Sequence, residues 1–392
     1  MLLNPSSINY LSDNDINVHT DSGLIVLLPP LDPECDFYYI EFKKALHHVA
    51  TAIPEVVLEK LRNDSRTHLV LCNSHEAFHE VVREIYQHVV IGLCIPENKI
   101  ILISESADIK GEILSESSRL QRPPFRSMWS RIFEKSCNDY LEHIMQVPYI
   151  NTPRWVNVGS PLMPVTLVDK VYDKKFLNFN RRWRLHRPIF VALLNNKNLL
   201  DKGYVSLAPC DDQNDWAKMW PWIMGHHRFT EIVNILENKK EETFAIPPLY
   251  LDTDELMTNQ AAISNTSDYL YENTYFSIVS ETNFYSFTPG RFISEKIFKP
   301  VLFQHPFLVL SRPQTLELMR DIGYKTFSPW IDERYDEEID DTTRMLMVVA
   351  ETERLSNLTS NELTEFLNGV REICKFNFDV LLKKTKFSSD IE

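Results

Sequence analysis

The sequence predicts an α/β protein of two domains, each built on a parallel sheet, and three observations lead there. The chain has 392 residues, more than one hydrophobic core usually organises. Short apolar, β-branched runs alternate with segments of helical periodicity in both halves, which is the rhythm of βαβ units. Between the halves, residues 147–165 hold Pro148, Pro153, Pro161 and Pro164, which break regular structure and suit a linker. The boundary is expected near residue 165, giving domains over 1–165 and 166–345.

Residues 21–31 (DSGLIVLLPPL) and 66–73 (RTHLVLCN) read as buried strands, because each is a short apolar run bounded by turn formers. Helical spacing follows in EAFHEVVREIYQHVV, and KIILISES (99–106) is the next strand, after the turn signal IPEN. Strand, helix and strand at this spacing make a βαβ unit. Residues 117–146 read as polar and helical. Beyond the linker the order is strand FLNFN, helix WRLHRPIFVALLNNK, strand GYVSL, helix HHRFTEIVNILENKK, strand YFSIVSET and helix EKIFKPVLFQH. HPFLVLS and YKTFS add short strands. From 341 onward TTRMLMVVAETERLSN and NELTEFLNGVREICKFNFDVLLKK are helical, with apolar residues spaced to pack on one face.

Composition narrows the function. A hydrophobic fraction of 44% supports packed cores rather than disorder. With 55 acidic against 41 basic residues the net charge is −14, which argues against a general attraction to nucleic acid or anionic membrane. No apolar stretch is long enough to span a bilayer, and MLLNPSSINYLSDND lacks the features of a secretory signal, so the expected address is the cytosol. The 6 cysteines form no CxxC pair, which argues against a zinc ribbon or a dithiol redox centre and leaves most of them as buried thiols. Glycine is scarce, at 9 residues, and neither GxGxxG nor GxxxxGK[ST] occurs. A nucleotide must therefore be held without a glycine-rich loop.

The densest chemistry lies at 276–312, FSIVSETNFYSFTPGRFISEKIFKPVLFQHPFLVLSRP. It reads as a buried strand ending in Ser280, Glu281 and Thr282, a loop, and a helix with Ser294 as N-cap and Glu295 and Lys296 in its first turn. Ligands of open α/β sheets bind at the carboxyl ends of strands, and helix N-termini favour anions. A diphosphate placed there would meet Lys296, while Glu281 or Glu295 bonds ribose hydroxyls; an ordinary capped helix with a solvated Glu–Lys pair is the alternative. Upstream, FLNFNRRWRLHRP carries Arg181, Arg182, Arg184 and Arg187 with His186 directly after a strand. Arginines at that place can fork onto phosphate oxygens. They could also form, with Trp183, a stacking patch for nucleic acid, which the acidic balance of the chain disfavours.

Ser280-Glu281-Thr282, Ser294-Glu295-Lys296, the apolar segment from Phe298 and His305-Pro306-Phe307 together resemble the sugar-nucleotide motif of fucosyltransferase-like GT-B glycosyltransferases. Viral and bacterial proteins of glycosyltransferase type look similar in NRRxRxHR, in SEKxFKPxxxxHPF and in GYKTFSPWIDERYDE (323–337). The likeness covers most of the C-terminal domain. It implies a GT-B-like fold, with two Rossmann-like domains facing each other across a cleft and helices of 346–392 packing back on the N-terminal domain. It implies a nucleoside diphosphate sugar as donor substrate, no further cofactor and a hydroxyl acceptor, most simply a glycan. By the same resemblance Arg181 or Arg182 contacts the diphosphate, and the address becomes the host cytoplasm if the chain is viral.

Transfer needs a base for the acceptor proton and a clamp for the leaving diphosphate. Arg181, Arg182, Lys296 and the helix behind Ser294 are the expected clamp, with inversion the expected stereochemistry. The resemblance to inverting enzymes implies that the base is a carboxylate or His of the N-terminal domain; the candidates are Glu76 after the strand ending at Asn73, or Glu105 or Asp108 after KIILIS, of which Glu105 is preferred. Other readings remain open. His75-Glu76-Ala77-Phe78-His79 fits HExxH, a zinc metallopeptidase signature, although it sits at a helix start and lacks a third ligand at a familiar spacing. The Asp13/Asp15 and Asp252/Asp254 pairs occur at chance frequency, so no metal is expected. A glycosyltransferase acting on a hydroxylated base of DNA, as in a phage, and a non-catalytic binding protein are the remaining classes. Trp216, Trp220 and Trp222 are expected to pack.

Overall fold

The computed structural model describes residues 16–19, 25–28, 37–41, 53, 55–73, 81–129, 171–180, 183–207, 216–249, 251, 268–287 and 290–383. The chain divides into two compact units, one of residues 1–132, 289–292 and 387–392, the other of residues 133–288 and 293–386. Each contains a four-stranded parallel sheet, an architecture compatible with a Rossmann-like fold. The division falls earlier in the chain than the proline-rich stretch near 165.

In the first unit, β1 (Ile16–His19) and β2 (Ile25–Leu28) pair antiparallel as a separate ribbon. Within the run 21–31, read from the sequence as a strand, residues 25–28 form β2 and stand outside the parallel sheet. That sheet consists of β3 (Phe37–Glu41), β4 (His68–Asn73), β5 (Ile100–Ser104) and β6 (Arg126–Trp129), in that order. Successive side chains of a strand point to opposite faces. Accordingly Leu69, Leu71, Ile100 and Leu102 join one apolar cluster, while Val70, Cys72, Ile101 and Ile103 join another. Burial on both faces explains why β4 and β5 read as unbroken apolar runs. The edge strand β6 escaped the sequence reading, which made 117–146 helical, because Met128 is its only buried residue. Helices α1 (Glu55–Asn63), α2 (Val81–Glu84, continuing as a π-helix over Ile85–Ile91) and α3 (Ile109–Leu120) bury Leu58, Leu61, Ile85, Val89 and Ile113 in the larger cluster.

The second unit is built on β7 (Lys174–Asn178), β8 (Gly203–Val205), β9 (Thr274–Ser280) and β10 (Phe307–Leu310), in spatial order β10-β9-β7-β8. Its helices are α4 (His186–Asn196), α5 (Trp216–Met224), α6 (Thr230–Glu237), α7 (Lys240–Phe244), α8 (Asp268–Glu272), α9 (Glu295–Leu302), α10 (Thr315–Asp321), α11 (Asp341–Ser356) and α12 (Ser360–Lys383). Every residue from His186 to Leu194 is buried, so α4 is a core helix surrounded on all sides. α12 packs on α9 and clusters with the second unit. The sequence also read YKTFS as a strand, and the structure shows an irregular loop. Asn377 replaces the ladder there, accepting from Lys325 N–H at 2.8 Å and donating to its carbonyl at 2.8 Å.

Trp216 and Trp220 are core residues, whereas Trp222 is 72% exposed. Among the described residues Cys72 and Cys374 are buried thiols and Cys94 is exposed. Among them, too, no helix is long and apolar enough to cross a membrane.

Gly203 opens β8 beside the fully buried Phe176, and a Cβ there would lie 2.3 Å from the ring. The ring also packs on Phe276 at 5.9 Å, so it cannot move aside freely. Gly203→Ala is expected to cost about 1–3 kcal/mol through overpacking. A lowered thermal midpoint with an unchanged circular dichroism spectrum is the measurement that checks it.

Candidate functional site

The carboxyl ends of β7, β8 and β9 carry a continuous polar network. Asn178 closes β7, and its amide donates to the Ile278 carbonyl at 2.7 Å and to Ser280 Oγ at 3.0 Å, tying β7 to β9. Ser206 N–H donates to the Asn178 carbonyl at 2.9 Å, and Ser206 Oγ accepts from Asn180 N–H at 2.9 Å. Asparagine and serine occur here because the strands run out of apolar partners while their backbone groups remain buried and must be paired.

Past β7 the chain turns into α4. Arg181 and Arg182 lie outside the described residues, whereas Arg184 is half-buried in the turn and His186 and Arg187 are buried. His186 Nε2–H donates to the Glu281 carbonyl at 3.0 Å. Arg187 Nη2 donates to the Ser280 and Glu281 carbonyls at 3.0 and 3.2 Å. Burial, and then the neighbouring Arg187 charge, hold the His186 imidazole well below the usual histidine range, so the ring is neutral. His186 is thus a fixed donor to backbone. It is buried at 1% exposure, where the motif anticipated a contact with the donor substrate. Arg187, one of the four arginines of the sequence motif, is a residue that grips the end of β9.

At the other side of that strand end, Glu281 is 1% exposed. Its Oε1 accepts from Ser294 N–H at 3.1 Å, and its Oε2 from Ser294 Oγ–H at 2.6 Å and Thr282 N–H at 3.0 Å. Ser294 is the N-cap of α9, accepting from Lys296 N–H at 3.2 Å as its sequence position predicts. Lys296 Nζ donates to Glu295 Oε1 at 2.7 Å, and to Thr282 Oγ1 and Ser294 Oγ at 3.3 Å each. For Glu295, burial works to raise the carboxyl, but the charges and bonds of Lys296 outweigh it and the group lies below its ordinary value. Of the carboxylates proposed for ribose hydroxyls, Glu281 has both oxygens committed inside the protein. Glu295 has one oxygen on Lys296. A cavity of about 50 Å³, lined by Ser277, Ser280, Tyr271, Lys296 and Lys299, opens beside this cradle.

His305, the histidine of the HPF motif, has a structural role. Its Nε2–H donates to the Thr274 carbonyl at 2.8 Å, and its Nδ1 accepts from Ser277 Oγ–H at 2.8 Å. Burial lowers it to about 4, opposed by the bond to Thr274. In the unfolded chain the ring titrates near its ordinary value, so between that value and about 4 the unfolded state binds a proton that the native state does not. Stability contributed by His305 is complete above roughly pH 6.5 and is lost as pH falls toward about 4. The loss is at most about 3 kcal/mol. Wild type compared with His305→Gln by urea denaturation between pH 7.5 and pH 4.5 is expected to show the steeper decline in the wild type.

The window 323–337 forms a separate cleft of about 690 Å³, lined by Arg320, Asp332, Glu333, Asp336 and Arg354 among others. Its acidic residues serve the fold: Asp336 accepts from Leu316 and Glu317 N–H at 2.8 and 2.9 Å, capping α10.

In the first unit, Glu105 follows β5, is buried at 3% exposure, and its carbonyl accepts from Trp129 Nε1–H at 3.1 Å. Asp108 is engaged by Arg291, whose N–H reaches Oδ2 at 2.7 Å and whose Nε reaches Oδ1 at 3.1 Å. Glu76 and the whole HExxH segment lie outside the described residues, as do both DxD pairs. Among the described residues no group of His, Cys, Asp and Glu is arranged to hold a metal ion. Comparison with protein-family models, with curated proteins and with solved structures finds no match for this chain.

Proposed function

We propose that the chain is a glycosyltransferase of GT-B type that binds a nucleoside diphosphate sugar at the carboxyl end of the second sheet and transfers the sugar to a hydroxyl acceptor. One observation carries this reading. The arginine turn and the Ser294–Lys296 step, remote in sequence, meet at the end of β9, where His186 and Arg187 hold the carbonyl of Glu281 and its carboxylate holds Ser294. The resemblance noted in the sequence places the diphosphate between those same segments. Lys296, with Arg181 and Arg182, is assigned the charge of the leaving diphosphate, and Glu295 the ribose hydroxyls.

In the reaction the acceptor oxygen forms a bond to the anomeric carbon as the bond to the diphosphate oxygen breaks. The acceptor proton passes to the base and the electron pair leaves on the diphosphate. Glu105, which directly follows β5, is assigned as base from that strand-end placement. Inversion follows from that single displacement.

The test is a thermal-shift panel of UDP, GDP, ADP, CDP and dTDP with their sugar derivatives. A ligand that binds only the folded state raises the melting temperature by mass action. One base family is expected to do so, in the presence of chelator. No shift with any nucleotide, together with a shift on adding zinc, would transfer the assignment to the HExxH segment.

A further inference from the structure

We infer that Glu281 is a positioning residue: it does not touch the sugar nucleotide but sets the geometry of the lysine cradle from beneath. The inference rests on the proposed function and adds to it the means by which the site is held in shape before ligand arrives.

Glu281 bonds both segments of the site. Through its carbonyl it receives His186 Nε2–H and Arg187 Nη2 at 3.0 and 3.2 Å, and so is anchored to the start of α4. Through its carboxylate it receives Ser294 N–H, Ser294 Oγ–H and Thr282 N–H. The hydrogen of Ser294 Oγ is consumed by Glu281 at 2.6 Å, so the hydroxyl can act toward α9 only as an acceptor. That fixes its lone pairs on Lys296 N–H at 3.2 Å and on Lys296 Nζ at 3.3 Å. Thr282, held by its own N–H on Glu281, supplies the second long contact to Nζ at 3.3 Å. Two of the three Nζ contacts therefore run through groups that Glu281 orients. Both are long, and phosphate oxygens can replace them without disturbing the backbone beneath.

Glutamine at 281 keeps the shape but offers one acceptor oxygen where three donors converge. Ser294 Oγ then loses its partner and turns, and the Nζ position loosens. A positioning role for a phosphate cradle predicts a selective loss: nucleoside diphosphate binds about tenfold more weakly, and the corresponding nucleoside binds unchanged. Ser294→Ala, which keeps the buried carboxylate, is expected to give a similar selective loss, and the double variant is expected to be no weaker than either single one.

The experiment is calorimetric titration of wild type, Glu281→Gln, Ser294→Ala and the double variant. The titrants are the nucleoside diphosphate that stabilises the wild type, its nucleoside, and inorganic pyrophosphate. An equal loss for nucleoside and diphosphate, or additive losses in the double variant, overturns the inference while leaving the proposed function standing. Failure of the wild type to bind any diphosphate overturns the proposed function, and this inference with it. If Glu281→Gln does not fold, Ser294→Ala decides alone through the ratio of nucleoside to diphosphate affinity.

Discussion

Arg344→Ala is expected to lower the unfolding free energy by about 3–5 kcal/mol, the range for breaking a buried ion pair by removing one partner. Both partners of the Arg344–Asp341 pair are 1% exposed, and the charges meet at 2.6 Å. The guanidinium also donates from Nε to the Ser311 carbonyl at 2.9 Å, from Nη1 to Glu338 at 2.9 Å, and from Nη2 to Phe284 at 2.6 Å. It lies 4.6 Å from the centre of the Phe284 ring. One side chain thus ties the end of β10, the loop after β9 and the turn before α11. Alanine leaves the carbonyls of the buried Ser311 and Phe284 without this donor and Asp341 without its closest cation. Lysine is expected to recover little, because an ammonium cannot reproduce the planar fork. The check is a fall in the denaturant midpoint by tryptophan fluorescence at unchanged slope, since Trp183, Trp216, Trp220, Trp222 and Trp330 all belong to the second unit. A loss below about 1 kcal/mol would show that water replaces the guanidinium.

Lys296→Ala is expected to weaken nucleoside diphosphate binding by about 10–100-fold, the value of a charge-assisted bond of roughly 1.5–3 kcal/mol. Stability should change little, because the lysine side chain is 28% exposed and its ion pair with Glu295 is partly screened. Binding to the wild type should also weaken as salt is raised, and the variant should show a shallower dependence. Titration at low and high salt measures both. Unchanged affinity in the variant would remove the cradle from the proposed site. A large loss of stability would instead assign Lys296 to the fold.

The two α/β units, the apolar strands β4, β5, β9 and β10, the core helix α4 and the Ser294 cap were all legible in the sequence. Each is decided by local chemistry: a short β-branched run, a period of 3.6 residues, a hydroxyl one place before a helix. Strand β6 was not legible, because an edge strand buries few side chains and leaves almost no apolar pattern. The loop at 324–328 imitated a strand, since Tyr324 and Phe327 are buried by tertiary contacts and the backbone of Lys325 and Phe327 is satisfied by Asn377 and Glu333.

The site divides in the same way. Residue types and strand-end placement pointed to Glu281, Ser294, Glu295 and Lys296 from the sequence alone. What each one does depends on partners far along the chain, and only the tertiary structure supplies those. It turns Glu281 inward onto Ser294, makes His186 and His305 neutral donors to backbone, and promotes Arg187 from one of several arginines to the clamp on β9. The physical reason is burial: a polar side chain taken out of water must find its partners in the protein, and sequence separation does not limit which ones it finds.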